Sequence, residues 1–221
     1  MAHILLTAGP TRAYIDDVRY LTNASSGRMA AALAAAALAR GHAVTIVSGP
    51  VSIRYPDRAT VIPVVTTAEM LAASLEALPG CDGVIAAAAP CDFEPPKKVR
   101  GKIPRRGSGL TLSLEPTTDV IATLAATSTR RRPRDARAQW FVAFALEPGA
   151  DGKRACEKVT AKQCDLIVVN DLTALESNST AVAVYDAAHD QVGAKQGTKK
   201  SVATWLIRLI EAKLLARSHR C

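Results

Sequence analysis

The sequence predicts an α/β domain built on a doubly wound, mostly parallel sheet. Short apolar runs closed by Gly, Pro or Asp read as buried strands. Stretches with helical character alternate with them, which is the pattern of a parallel sheet with crossover helices. Aromatic residues make up only 4% of the chain, so the core must be packed from Ala, Val, Leu and Ile. A chain of 221 residues suits a single domain over 1–221.

The elements follow in order. HILLTAG (3–9) is the first strand. The Ala-rich stretch after it is a helix, with Ser25 or Ser26 expected as its N-cap and Gly41 as its C-terminal stop. AVTIVSGP (43–50) and ATVIPVV (59–65) are the next strands. Thr66 and Glu69 form a T-x-x-E capping box that opens AEMLAASLEAL. DGVIAAAA (82–89) is a fourth strand, and to this point the sheet is Rossmann-like. The pattern then breaks. Residues 90–109 hold four prolines and three glycines without a period, which predicts a long flexible flap. LTLSLEP (110–116) alternates like a strand. TTDVIATLAATS is a helix with Thr117 or Thr118 near its cap, and RRRPRDAR (130–137) is an exposed turn. WFVAFAL (140–146) and CDLIVVND (164–171) are strands joined by a helix over 151–163. A β-hairpin arm follows over about 178–198. The chain closes on an amphipathic helix with Val202, Leu206, Leu209 and Ile210 on one face.

Composition narrows the function. A net charge of +8 favours polyanions, phosphorylated substrates or an anionic surface. Scarce aromatics argue against stacking platforms for single strands, and no helix-turn-helix or RNP motif occurs, so nucleic acid is not an expected partner. The apolar stretch at 29–39 is too short for a membrane span, and MAHILLTAGPTR lacks the basic start of a signal peptide. Cysteines 81, 91, 156, 164 and 221 are odd in number and form no C-x-x-C pair, which points to reduced thiols in the cytoplasm. Histidines 3, 42, 189 and 219 lack ligand spacing. Cys91 beside Asp92 reads as a structural thiol, since no His lies near it in sequence.

Three places seek anions. The first is the mouth of the Ala-rich helix, where Ser25, Ser26 and Gly27 stand at unpaired N–H groups and a partial positive charge. TAGPTR is not G-x-G-x-x-G, so a nicotinamide dinucleotide fingerprint is absent. Arg54 and Asp57 are ribose readers in a poor setting. An ordinary Ser cap on a core helix is the bland alternative. Asn23 tips the balance, because its amide both donates and accepts and suits an acyl phosphate or carboxylate. The second place is the flap, where six of the ten residues from Lys97 to Arg106 are basic and Asp92 stands at the root. A solvated loop is the alternative there. The third is Lys158 and Lys162, four apart on one helix. Like charges at that spacing cost about 0.2–0.5 kcal/mol unless an anion lies between them. Two solvent-facing lysines are the commoner case. Taken together, the three suggest a nucleotide plus a phosphorylated acid.

These stretches together resemble the phosphopantothenoylcysteine synthetase family. LLTAGPTRAYIDDVRYLTNASSGRMAAALAAAALARGHAVTIVSGP is similar to the family's opening almost throughout. AAAAPCDF, GKI, TTDVIATL, FVAFALE, KVTAKQCDLIVVND and GTKKSVATWLI resemble its later motifs, in the same order. The resemblance implies a two-step ligation. The carboxylate of 4'-phosphopantothenate attacks the α-phosphate of CTP (or ATP), with Mg²⁺ offsetting the repulsion between two anions. Cysteine's amine then displaces the nucleotide. By position, Asn23 is implied to stabilise the acyl-nucleotide and Lys102 to be the flap lysine. Ala88, Asp92, Thr118, Asp119, Val120, Ile121, Phe144, Lys158 and Lys162 are implied to hold the nucleotide. Gly9, Arg19, Asn23, Ser25, Ser26 and Gly27 are implied to hold the phosphorylated acid. No metal ligands are assigned. The resemblance further implies a homodimer, with the hairpin arm and part of the flap facing the partner. The decarboxylase half of the bifunctional relatives is not in this sequence, so the resemblance implies either a stand-alone synthetase, with a separate decarboxylase as an expected further partner, or an excised domain. Pro90, Cys91, Pro104, Ala143 and Pro148 depart from the family pattern. They keep open a degenerate member that binds nucleotide without ligating, and an NAD(P)-dependent reductase is the remaining rival.

Overall fold

The computed structural model describes residues 1–105, 107, 109–128, 138–147, 152–171 and 178–215. Six parallel strands form its centre: β1 (His3–Ala8), β4 (Ala43–Ser48), β5 (Thr60–Pro63), β6 (Gly83–Ala86), β9 (Trp140–Leu146) and β10 (Leu166–Asn170). Their order across the sheet is β5-β4-β1-β6-β9-β10. The chain therefore runs outward from β1, returns to the centre at β6, and runs outward the other way. That reversal between β1 and β6 is a topological switch point, where ligands of open α/β sheets bind. Two short pairs lie outside this sheet: β2 (Arg12–Tyr14) with β3 (Tyr20–Thr22), and β7 (Phe93–Glu94) with β8 (Glu115–Pro116).

The period of two along each strand sorts residues between two cores. Ile4, Leu6 and Ala8 of β1 and Trp140 and Val142 of β9 pack with α1 (Arg28–Ala39) and α5 (Lys199–Ile210). Leu5, Phe141, Ala143 and Ala145 pack on the other face, with α2 (Thr67–Ala77), α3 (Val120–Thr127) and α4 (Gly152–Ala161). Both faces are covered, which is why these strands read as apolar runs. Ala30, Ala34 and Ala37 are buried on α1, so small side chains let it lie close to the sheet and to α5. Past Ile210 the chain takes one π-helical turn, Glu211–Leu215. Glu211 there accepts from His42 at 2.9 Å and pairs with Arg40 at 2.5 Å, tying the chain's last described turn to the end of α1.

The capping box forms as expected. Glu69 N–H donates to Thr66 Oγ1 at 3.2 Å, and Thr66 N–H donates to the Glu69 carboxylate at 3.4 Å. Gly41 takes φ +84° just past α1, as the stop residue should.

Two expectations change, the cap of α1 and the strand at 110–116. The N-cap of α1 is Gly27, left-handed and without a side-chain cap bond, not Ser25 or Ser26. The cap of α3 is Asp119, whose carboxylate accepts from Ala122 N–H at 3.1 Å, with Thr118 just before it. Of LTLSLEP, only Glu115 and Pro116 form a strand, because their partner β7 is two residues long and nothing pairs with the rest. The expected hairpin arm forms as β11 (Ser179–Asp186) and β12 (Gln191–Thr198) and joins the sheet. β11 adds antiparallel to β10, and the pair extends the main sheet to eight strands. The turn expected at 130–137, together with Arg106 and Pro148, lies outside the described residues.

Candidate functional site

The site is built at the diverging carboxyl ends of β1 and β6. Gly9 leaves β1 with φ +70°, and a Cβ there would lie 2.7 Å from Val51 Cγ1. Ala89 N–H donates to Gly9 O at 2.9 Å, and Ala88 N–H donates to Thr7 Oγ1 at 3.4 Å. Asn23, just past β3, donates its amide to Ala89 O at 3.3 Å and to Pro90 O at 2.7 Å. The side chain expected to meet an acyl phosphate is thus fixed across the switch point by backbone carbonyls.

Gly27 closes this loop with φ +73°. A Cβ on it would come within 2.9 Å of Val51 Cγ1 and 3.2 Å of the Tyr55 hydroxyl. Side chains are therefore squeezed out of the helix mouth, and no side chain caps α1. Ser25 and Ser26 are half-buried beside it. Two cations that the sequence reading did not single out stand near. Arg28 opens α1 and reaches Asn178 Oδ1 at 3.5 Å. Lys199 opens α5, and burial first, then the charge of Arg28, lowers its pKa.

Beneath the loop lies a buried polar knot. Cys91 N–H donates to Thr11 Oγ1 at 2.8 Å, and that oxygen shares a hydrogen bond with Thr67 Oγ1 at 2.8 Å. Thr117 Oγ1 donates to Cys91 O at 2.6 Å. These bonds tie the start of β2, the start of α2 and the approach to α3 to the flap root. Cys91 is a buried structural thiol, as read from sequence.

Asp119 does two things at once. It caps α3 and pairs with Lys162. Lys158 pairs with Glu147, whose other oxygen lies 3.9 Å from Arg154 Nη1. Each lysine of the expected pair therefore faces a carboxylate, which offsets their mutual repulsion. Glu147, the last residue of the FVAFALE stretch, is buried just past β9. Phe144, four strand positions along β9, is half-buried on the α1 side. Thr118 and Asp92 are exposed. Val120 and Ile121 have side chains buried in the core, so only their backbone is left to meet a ligand.

The flap is also fastened along its middle. Asp16 is fully covered and accepts from Arg19 Nε at 3.0 Å, Arg19 Nη2 at 2.5 Å and Ile103 N–H at 3.0 Å. Arg19 Nη2 also donates to Ile103 O at 2.6 Å. The Arg19 bonds, ahead of the backbone ones, hold the Asp16 carboxyl well below the usual carboxylate range against the opposing effect of burial. Next to it, Asp17 accepts from Gly101 N–H at 2.6 Å and pairs with Lys98 at 2.8 Å. That pairing, with Lys98 foremost, lowers the Asp17 pKa and raises that of Lys98. Asp17 N–H donates to Gly101 O at 3.0 Å, and Val99 N–H to Ile15 O at 3.0 Å. Lys102 is exposed between the two pinned residues Gly101 and Ile103. Arg19, expected at the substrate, here serves Asp16 and the flap.

A groove of 550 Å³ opens between Arg12, Tyr14, Glu69, Glu94 and Lys98. It includes none of Asn23, Lys102, Lys158 or Lys162. A smaller one of 220 Å³ reaches Thr117 and Thr118 from α2. Among the described residues no three His, Cys, Asp or Glu gather as a metal site, and no helix is long and apolar enough to cross a membrane.

Residues 1–214 match the family described as DNA/pantothenate metabolism flavoprotein C-terminal domain. A relative of unknown prokaryotic origin, named Cysteine/Cysteine sulfinic acid decarboxylase, is 38% identical over 94% of this chain and 57% of its own. The Bacillus subtilis Coenzyme A biosynthesis bifunctional protein CoaBC is 40% identical over 78% of this chain and 41% of its own. The chain thus spans about half the length of the curated relatives it matches. The crystal structure of the C-terminal domain of a CoaBC protein superposes with a TM-score of 0.77 at 31% identity, covering 97% of this chain and 96% of that one. Match, identity and shared fold agree: the chain belongs to the DNA/pantothenate metabolism flavoprotein C-terminal domain family.

Proposed function

We propose that this domain is a phosphopantothenate–cysteine ligase acting in coenzyme A biosynthesis. The observation that carries the proposal is Asn23. It is pinned to Ala89 O and Pro90 O at the switch point, on the loop that leads into a helix mouth without a side-chain cap. An anion at that mouth meets N–H groups that need no rearrangement.

In this reading the phosphorylated acid lies along Gly9, Ser25, Ser26 and Gly27. The nucleotide lies across Ala88, Asp92, Phe144 and the start of α3. Its triphosphate reaches Lys158 and Lys162. Mg²⁺ arrives on the triphosphate as part of the substrate and needs at most one or two protein carboxylates. The bound acid's carboxylate attacks the α-phosphate, pyrophosphate leaves, and Asn23 steadies the acyl-nucleotide. The amine of cysteine then attacks the acyl carbon and expels the nucleotide, giving up its proton. Lys102 approaches the charge that develops during transfer. CTP is the nucleotide we favour, from the resemblance alone. We place the enzyme in the cytoplasm as a homodimer, with a separate decarboxylase as a further partner.

The test is pyrophosphate release from 4'-phosphopantothenate and Mg²⁺ with CTP and ATP side by side, with and without cysteine. Wild type should release it with CTP, and Asn23→Ala should not. A folded, nucleotide-binding protein silent with both nucleotides would leave the degenerate reading. Carbon dioxide release from cysteine alone, the activity in the other relative's name, is not expected and is read in the same samples.

A further inference from the structure

The loop 15–19 and the flap residues 98–103 form a strap, and the strap has an odd geometry. Six hydrogen bonds or ion pairs cross it, and they alternate around Lys102 without touching its side chain. On one side are Val99 N–H to Ile15 O, Lys98 to Asp17, and the reciprocal pair between Asp17 and Gly101. On the other are Ile103 N–H to Asp16 and Arg19 to Ile103 O. Gly101 sits at φ +79°, a left-handed conformation that turns the chain sharply just before Lys102. A solvated basic loop would not need two adjacent aspartates on another segment to receive its backbone N–H groups.

The same loop runs straight on into β3 and Asn23. Asp16 and Asn23 are therefore separated only by Asp17–Thr22, part of which is the β2–β3 ladder. Whatever fixes the flap to this loop also fixes it relative to Asn23. Basic charge alone would not produce this. Six of the ten residues at 97–106 are Lys or Arg, and a run of that kind repels itself.

We infer that Asp16 and Asp17 are positioning residues for the flap. Asp16, through Ile103 and Arg19, and Asp17, through Gly101 and Lys98, set where Lys102 stands relative to Asn23. Neither aspartate touches the substrates in this inference. It rests on the ligase reading, since Lys102 has its role only there.

Asp16 is fully covered, and Asp16→Asn exposes Arg19 to the loss of its carboxylate, so that variant is judged first by its melting. Asp17 is half exposed, which makes Asp17→Asn the decisive variant. Pyrophosphate release is followed for wild type, Asp17→Asn, Lys102→Ala and the double variant. The expected result for Asp17→Asn is a kcat lower by about 10- to 100-fold, the cost of a misplaced group. KM for nucleotide and phosphorylated acid should change less than about 2-fold, and melting should be unmoved. The double variant should be no slower than Lys102→Ala alone, because positioning is worthless without the group positioned. Trypsin should also cut the flap of Asp17→Asn faster than that of wild type. A fully additive double variant, or a rise in KM at constant kcat, would overturn the inference while leaving the ligase reading intact. A silent wild type would instead remove the ligase reading, and the inference with it.

Discussion

The two anion sites expected from the sequence are built in opposite ways. At the mouth of α1 the attraction is backbone. Gly27 keeps side chains out, no side chain caps the helix, and an entering anion displaces water. At α4 the attraction is side-chain charge that is already engaged: Lys158 faces Glu147 and Lys162 faces Asp119. A phosphate arriving there must share or take over an ion pair. The first end is preorganised and its binding is a direct gain. The second end's affinity is a difference between two ion pairs, so it should be weaker, more salt-sensitive and easier to tune. In the ligase reading that division is sensible: the end that would hold the reacting acid is rigid, and the end that would release pyrophosphate is exchangeable.

The largest expected break of this contrast is at the rigid end. In the ligase reading Asn23→Ala removes a pinned amide beside the reacting carboxyl, and a group of that kind is worth about 10²–10³ in rate. Asn23 is exposed, so melting should hold while turnover collapses. A variant that keeps more than half of its rate would move the acid away from this loop.

Gly27→Ala comes next and tests rigidity itself. Its Cβ meets Val51 and Tyr55 at a left-handed φ, and strain of this sort costs about 1–3 kcal/mol. At this chain length each kcal/mol moves the melting temperature by about 2–4 °C. Thermal melting decides it: an unchanged midpoint would mean that the loop yields and the mouth is not preorganised.

Glu147→Gln acts at the exchangeable end. It frees Lys158 from its competitor while keeping the shape of the side chain. The KM for nucleotide should fall by a few fold, roughly half a kcal/mol or more of regained attraction. Stability should fall modestly, because Lys158 is 45% exposed and the pair is partly screened. Nucleotide titrations at two salt concentrations read both effects. A KM that rises instead would show Glu147 to be part of the phosphate site and not its competitor.

The sequence made the sheet legible because the parallel strands inside its edge strand β5 are buried on both faces and read as closed apolar runs. Thr66 and Glu69 were legible for another reason, since a capping box is local chemistry at fixed spacing. Asn23 and the lysine pair could be picked out by type and place. What stayed hidden was long-range pairing. Nothing at positions 16 and 17 announces that two aspartates will meet Gly101 and Ile103 more than eighty positions later. Nothing at Glu147 announces Lys158, because the two meet only once β9 and α4 have packed. LTLSLEP was misread because alternation signals a strand only when a partner strand exists. The α1 cap was misread because Ser is a better cap than Gly on average, and only the fold reveals that Val51 and Tyr55 leave no room for a side chain at Gly27.

That misreading gives the smallest and sharpest test. If Ser26 were the cap of α1, Ser26→Ala would cost about 1 kcal/mol. With Gly27 as the cap, Ser26 makes no cap bond, and its loss should fall within about 0.5 kcal/mol, the range of ordinary surface changes. Thr66→Ala supplies the internal standard. Thr66 does cap α2 with both bonds of a capping box, so it should lose about 1 kcal/mol, or about 2–4 °C of melting temperature. The two variants are the same chemical change at two helix starts, and only one should melt early. The same Ser26→Ala protein then speaks to function. If its hydroxyl serves the phosphorylated acid and not the helix, the KM for that acid should rise by a few fold, an order of one hydrogen bond, with melting unchanged. A fall in melting temperature equal to that of Thr66→Ala would return Ser26 to the helix and leave the mouth of α1 with a side chain that competes with its ligand, removing the contrast between the two sites.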